Sequence, residues 1–356
     1  MAWKNLFGYS TISSLKRALT LVTAASLITA TTSLPVHAED ATSEEAADSE
    51  ATDSSAANPS DQWNQVSRNA RTHRSVAAAN WGGREWYFVR GDDRTIWFSA
   101  NGQDFTRHPH GGRTDAAPAA VVFHNTLYVF HTGEGGDIWY SFLTSQGWTA
   151  WQRVPGSDTQ HFRTTESPTV AASERYLYLL GMRDNERIAI SASDNGSRWA
   201  NWDEPPGGAR TLSAVGAAAA HNNSDGVDAL VVAHRGTNEG VYYAARRESD
   251  GAWSTWNQRD PGARIRSQPF LASFVGLDGH EHIAVSAEGT DGRVWAQDWD
   301  IDRNVGYGWH RVDDRPNEPR VTTDIGPTLV WIVHALYCLA VSQAGVMIQK
   351  RIQDTK

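Results

Sequence analysis

The stretch from Arg113 to Gly156, RTDAAPAAVVFHNTLYVFHTGEGGDIWYSFLTSQGWTAWQRVPG, holds one complete architectural unit. A small-residue strand, Ala116–Phe123, runs into an apolar one, Leu127–His131. Gly133-Glu134-Gly135-Gly136 makes a tight turn, Ile138-Trp139-Tyr140-Ser141 a third strand, and Trp151-Gln152-Arg153-Val154 a fourth. Gly and Asn clusters break the apolar runs where a turn must reverse the chain. Four short strands in about 40 residues are the signature of a β-propeller blade.

The unit recurs on both sides. An Arg stands five residues before each strand start, as Arg71, Arg113, Arg163, Arg210 and Arg264, with a looser sixth copy at Arg320. The third strand returns as Ile96-Trp97-Phe98-Ser99, Ile188-Ala189-Ile190-Ser191, Val241-Tyr242-Tyr243-Ala244, Val294-Trp295-Ala296-Gln297 and Val346-Met347-Ile348-Gln349. The last unit stops after its third strand, while the first is preceded by an orphan fourth strand, Trp63-Asn64-Gln65-Val66. The expected fold is therefore all-β: a six-bladed β-propeller of four-stranded antiparallel blades over 63–356. The N-terminal strand completes the last blade and removes an exposed sheet edge.

Ahead of the repeats, residues 1–38 carry Lys4, Lys16 and Arg17, an apolar run from Ala18 to Ala30, and Val36-His37-Ala38. A basic start, a short apolar stretch and small residues before a cleavage point predict a secretory signal peptide. The apolar run falls short of the roughly 20 residues that a membrane span needs, so a secreted, extracellular protein without a span is expected. Residues 39–62 hold eight acids and no Lys or Arg, a composition that predicts a disordered acidic linker. Without those eight acids and the three basic residues of 1–38, 33 acids face 29 bases. So nearly neutral a body argues against a nucleic-acid partner. The sequence has 16 Trp and 30 Gly beside a single Cys, which excludes an intramolecular disulfide framework and a Cys-based zinc site. No nucleotide-binding glycine motif is present.

Two repeated positions are candidates for binding. Side chains alternate faces along a strand, so Trp97 shares a face with Ser99, Trp139 with Ser141, Tyr242 with Ala244 and Trp295 with Gln297. An aromatic ring beside polar groups suits the apolar face and hydroxyls of a sugar, although the same rings could pack one blade on the next. Ala189 and Met347 leave two blades without a platform on this alignment. The second position is the repeated Arg. Arg71, Arg113, Arg163, Arg210 and Arg264 fall in loops that share a propeller face with the Gly/Asp turns. Their forked donors suit vicinal hydroxyls or a carboxylate, or else tie each loop to its neighbour. The pairs Trp148/Trp151, Trp199/Trp202 and Trp253/Trp256 recur too regularly for an active site and are expected to build the blades.

No catalytic set stands out. Ala192-Ser193-Asp194-Asn195-Gly196-Ser197-Arg198-Trp199 is similar to the sialidase Asp-box, a turn motif, with Ala192 and Arg198 in place of its Ser and Thr. The inner strands of the first four units bring almost no acids, Glu174 being the nearest, so no central carboxylate pair is expected. His108/His110 and His280/His282 are pairs without a third ligand, so no metal site and no cofactor are expected.

This blade grammar, with Ile-Trp-Tyr-Ser and Trp-x-x-Trp-x-x-Val-Pro-Gly, resembles the PLL-like bacterial β-propeller lectins over residues 63–356. It is more distantly similar to the fungal fucose-binding and tectonin propellers. The resemblance implies a secreted, non-catalytic lectin with several sugar sites in clefts between blades, no metal, and glycan partners of fucose or galactose type. Two features depart from it. PLL lectins have seven blades where six are counted here. The fungal fucose lectins hold sugar with an Arg, a Glu and a Trp, and no third strand here supplies the Glu unless Glu248 serves. A protein-interaction scaffold and a sialidase-like glycoside hydrolase are the alternative functions.

Overall fold

The computed structural model describes residues 63–354 apart from 69, 158–161, 313–324, 333–334 and 343. The signal-peptide and linker expectations, and Arg320, lie outside the described residues. Those described form six small antiparallel sheets and no helix.

The inner strands are Ala77–Trp81, Ala119–Phe123, Thr169–Ala172, Gly216–Asn222, Phe270–Val275 and Thr328–Ile332. Each touches the inner strand of the next sheet and the sixth touches the first, which closes a six-bladed propeller. Small residues such as Ala77, Ala119, Ala171 and Gly216 let six strands converge on the axis. A Cβ on Gly216 would stand 2.3 Å from the carbonyl oxygen of Pro269 in the next blade. The ring closes as expected: Asn64–Gln65 pairs with the third strand of the sixth blade, Asn64 opposite Gln349 and Gln65 opposite Ile348.

The core lies between blades rather than within them. Six apolar clusters each draw on two neighbouring sheets. Trp86 and Phe88 of the first blade pack with Leu127, Val129 and Trp148 of the second. Val66, Tyr87 and Val89 pack with Leu339 and Met347 of the sixth. The Trp pairs serve these seams. Trp202 donates its indole N–H to Pro155 O at 3.2 Å, and Trp256 donates to Pro206 O at 3.0 Å, each in the preceding blade.

Two details differ from the sequence reading. The fourth strand shrinks to isolated bridges in the third blade (Ile190 with Asp203) and the fourth (Tyr243 with Asn257, Arg246 with Trp253). In the third blade Pro205-Pro206 follows at once, and proline cannot donate to a ladder. The sixth blade is also registered one residue later than its sequence suggests. Val341 faces Met347 as Arg90 faces Ile96, so Ile348 and not Met347 stands where Trp97 does. Val346 imitates the apolar start of the other third strands, but the pleat buries Met347 completely.

Adjacent blades are joined on one face by a repeated hydrogen bond. The N–H groups of Thr72, Thr114, Thr164, Thr211 and Ile265 donate to the carbonyls of Gly345, Arg94, Gly136, Glu186 and Glu239. Every acceptor sits at positive φ in the turn between second and third strands. The repeated Arg directly precedes each donor, which places it on this turn-bearing face.

Candidate functional site

The aromatics of the third strand lie over the glycines of that turn. A Cβ at Gly91 would stand 2.7 Å from Trp97, at Gly289 2.6 Å from Trp295, at Gly236 2.6 Å from Tyr242 and at Gly133 2.9 Å from Trp139. Turn side chains then fix the ring edges. Trp97 Nε1 donates to Asp93 Oδ1 at 3.1 Å, Trp295 Nε1 donates to Asp291 Oδ1 at 3.0 Å, and Asn238 Nδ2 donates to the Tyr242 hydroxyl at 3.0 Å. Each ring is half-buried. The turn thus holds an aromatic flat, with its polar edge tied to a carboxylate or amide.

In the first blade this platform borders a cavity of about 580 Å³ that Arg71, Asp92, Asp93, Trp97, Asp104 and Phe105 help to line. A volume of that order accommodates a small ligand. Arg71 is exposed, with Nη1 on the Ala70 carbonyl at 2.9 Å. Partial burial opposes ionisation of Asp93, yet hydrogen bonds from Thr95 and Trp97 and the charge of Arg107 hold its carboxyl below the usual range. The cavity therefore joins an aromatic face, a guanidinium and fixed acceptors.

The other predicted residues scatter by role. Arg113 donates from Nε to Glu134 at 3.2 Å, beside the Gly133 on which Trp139 rests. Arg210 reaches the Asn185 carbonyl at 3.2 Å and Glu186 at 3.4 Å, and Arg264 reaches the Pro261 and Ala263 carbonyls at 2.7 and 2.8 Å. Arg163 is exposed in the blade that carries Ala189 instead of an aromatic. The polar partners of the rings are not available to a ligand. Ser99 and Ser141 are buried, their hydroxyls donated to Asn101 Oδ1 at 2.9 Å and Thr149 O at 2.7 Å. Gln297 is buried and accepts from the Tyr243 hydroxyl at 3.3 Å. Alternation placed them on the right face, but the fourth strand or the following turn covers that end of the strand.

The third blade is built differently. Arg183 takes the position of the platform glycine and Ala189 the position of the aromatic. Arg183 donates to Glu204 Oε1 at 2.6 Å, and Arg187 donates to Oε2 of the same carboxylate at 2.9 Å. Arg183, Trp199, Asn201 and Trp202 line a cavity of about 260 Å³, where Trp202 stacks on Phe162 at 3.9 Å. Glu204 lies outside the repeated positions, and only the Gly-to-Arg exchange at 183 signals this arrangement in the sequence.

No protein-family description matches the sequence, and no curated protein matches it. Solved structures do. A mutant of AofleA from Arthrobotrys oligospora aligns at a TM-score of 0.61 with 10% identity, covering 83% of this chain and 90% of that one. The fucose-specific lectin from Aleuria aurantia aligns at 0.57 with 9% identity, covering 82% and 91%. The BP39L lectin from Burkholderia pseudomallei aligns at 0.55 with 15% identity, covering 78% and 81%. What they share with this chain is a fold. An Aleuria aurantia structure in this set is itself described as a six-bladed β-propeller.

On the other face the axial channel opens into a cavity of about 730 Å³ lined in part by His124, Glu174, His221, Asp228 and Glu281. The expectation of no central carboxylate pair considered the inner strands alone, and Asp228 and Glu281 reach this mouth from second strands. Burial and then the charge of Asp302 push the Glu281 carboxyl up to about 7. Among the described residues, no Arg or Lys joins that lining. Glu248, the acid that could have stood in for the fucose lectins' Glu, accepts a hydrogen bond from the Tyr178 hydroxyl at 2.9 Å. Both are buried, however, Tyr178 completely, so Glu248 faces the core and not a sugar.

Proposed function

We propose that this chain is a secreted lectin that binds glycans without altering them, at several clefts on the turn-bearing face of the propeller. The observation that carries the reading is the first-blade cavity, where Arg71, Trp97 and fixed carboxylates converge. An aromatic face takes the apolar side of a pyranose, and charged hydrogen bonds take its hydroxyls. Trp139 repeats the platform beside Arg113, and Tyr242 and Trp295 repeat the ring-on-glycine arrangement in the fourth and fifth blades. Arg183, Trp202 and Glu204 bring together in the third blade the residue types that fungal fucose propellers use. Fucose- or galactose-type ligands fit this reading, and the fucose-specific neighbour named above supports the former. Several weak sites on one rigid ring would act together on a glycan-coated surface.

The direct test is titration of the full chain with α-methyl fucoside and methyl galactoside, followed by tryptophan fluorescence. Saturable quenching that weakens in Trp97→Ala and in Arg183→Ala supports the assignment. A chain that is folded yet silent to both sugars contradicts those ligand classes.

A further inference from the structure

His280 and His282 form a pair without a third ligand in the sequence, and the fold gathers carboxylates around His282. Asp278, His280 and His282 alternate into the second strand of the fifth blade (Glu281–Glu288), and the third strand (Val294–Asp300) sets Asp300 directly opposite His282. One donor atom from each of Asp278, His282 and Asp300 lies within 4.8 Å of the others. His282 is 4% exposed and Asp300 0%.

The imidazole of His282 meets a carboxylate at each nitrogen. Nδ1 lies 3.1 Å from Asp298 Oδ1 and Nε2 lies 3.3 Å from Asp278 Oδ1. A neutral imidazole carries one N–H. With that proton donated to Asp298, the lone pair on Nε2 points at a carboxylate oxygen, a repulsion that a cation between them removes. Two ligands each about 2.1 Å from one ion sit ~3 Å apart, as these do. Asp298 then plays the outer carboxylate that fixes the tautomer of a metal-bound histidine. His280 Nδ1 lies 3.3 Å from Asp300 Oδ2 and borders this set of three donors without belonging to it.

We propose that Asp278, His282 and Asp300 form a binding site for a divalent transition-metal ion of the zinc class. Mixed imidazole and carboxylate ligands favour such an ion over calcium or magnesium, which prefer oxygen alone. Arg303 is its competitor. Its Nη1 stands 3.1 Å from Asp278 and 3.4 Å from Asp300, and its half-exposed side chain is free to leave for solvent when the ion enters.

The test is calorimetric titration of the untagged full chain with Zn²⁺, beside Co²⁺ titration followed by visible absorption. One equivalent should bind. Asp278→Asn should weaken binding tenfold or more, and Arg303→Ala should tighten it, a gain that a merely structural network would not show. Asp278 is partly exposed, so its variant tests the site even if His282→Gln fails to fold. Absence of zinc uptake by the folded chain overturns the proposal, as does uptake that both Asp278→Asn and Arg303→Ala leave unchanged.

Discussion

Gly91 shows what one side chain fewer accomplishes. Its backbone has no positive φ, so alanine there meets no left-handed strain but the ring of Trp97 at 2.7 Å and the Asp93 carboxylate at 2.8 Å. Overpacking of this kind costs about 1–3 kcal/mol. Gly91→Ala should therefore lower stability in urea by that amount and shift tryptophan emission, and an unchanged variant would mean that the ring does not rest on the turn. Gly83 is the converse, with φ at 69° and open space around its Cβ position. Gly83→Ala should cost only about 1 kcal/mol, through backbone strain alone. At this scale the sequence exposed the aromatics and the Arg series but misplaced their partners. Period-two alternation assigns Ser99, Ser141 and Gln297 to a face without revealing that neighbouring loops use up their hydrogen bonds. Asp93 and Asp291, which fix the rings, are legible only once the turn is folded back on the strand.

Blades are interchangeable in outline and individual in detail. Arg183 with Ala189 replaces glycine with an aromatic, so the two positions should be energetically coupled. Ala189→Trp alone should destabilise the third blade, and Arg183→Gly should relieve part of that loss; strictly additive effects in a double-mutant cycle would refute the exchange. Three buried imidazoles give the blades a pH response. Burial holds His108, His131 and His234 at about 4, below the ordinary 6.5. The unfolded chain takes up these protons first, so their contribution is complete above pH 6.5 and is lost as pH falls toward 4. Each is worth up to ~3 kcal/mol. The melting temperature should drop steeply across that window, and a flat profile would show that the imidazoles reach solvent. The register of the sixth blade was hidden because Val346 reads like Ile96, and only strand pairing distinguishes them.

The ring as a whole was the most legible feature, because repetition multiplies a weak signal and the incomplete ends state how it closes. What repetition cannot convey is any site made by one blade alone, such as Arg183 with Glu204 or the histidine and aspartates of the fifth blade. Closure itself can be tested. Val66 is buried against the sixth blade and donates its N–H to the Met347 carbonyl at 3.0 Å. Removing residues 1–66 should bare the edge of Met347–Asp354, lower the melting temperature and promote self-association visible by size-exclusion chromatography. A truncated chain as stable as the parent and no more self-associated would show that closure contributes little. The central claim concerns the turn-bearing face, and the most direct measurement is a glycan array probed with the full chain and with a folded Trp97→Ala, Trp139→Ala, Trp295→Ala variant. Binding by the parent that falls sharply in the triple variant, leaving only what the third and fourth blades supply, is the predicted result. A parent that binds no glycan, or a triple variant that binds as well as the parent, would contradict it.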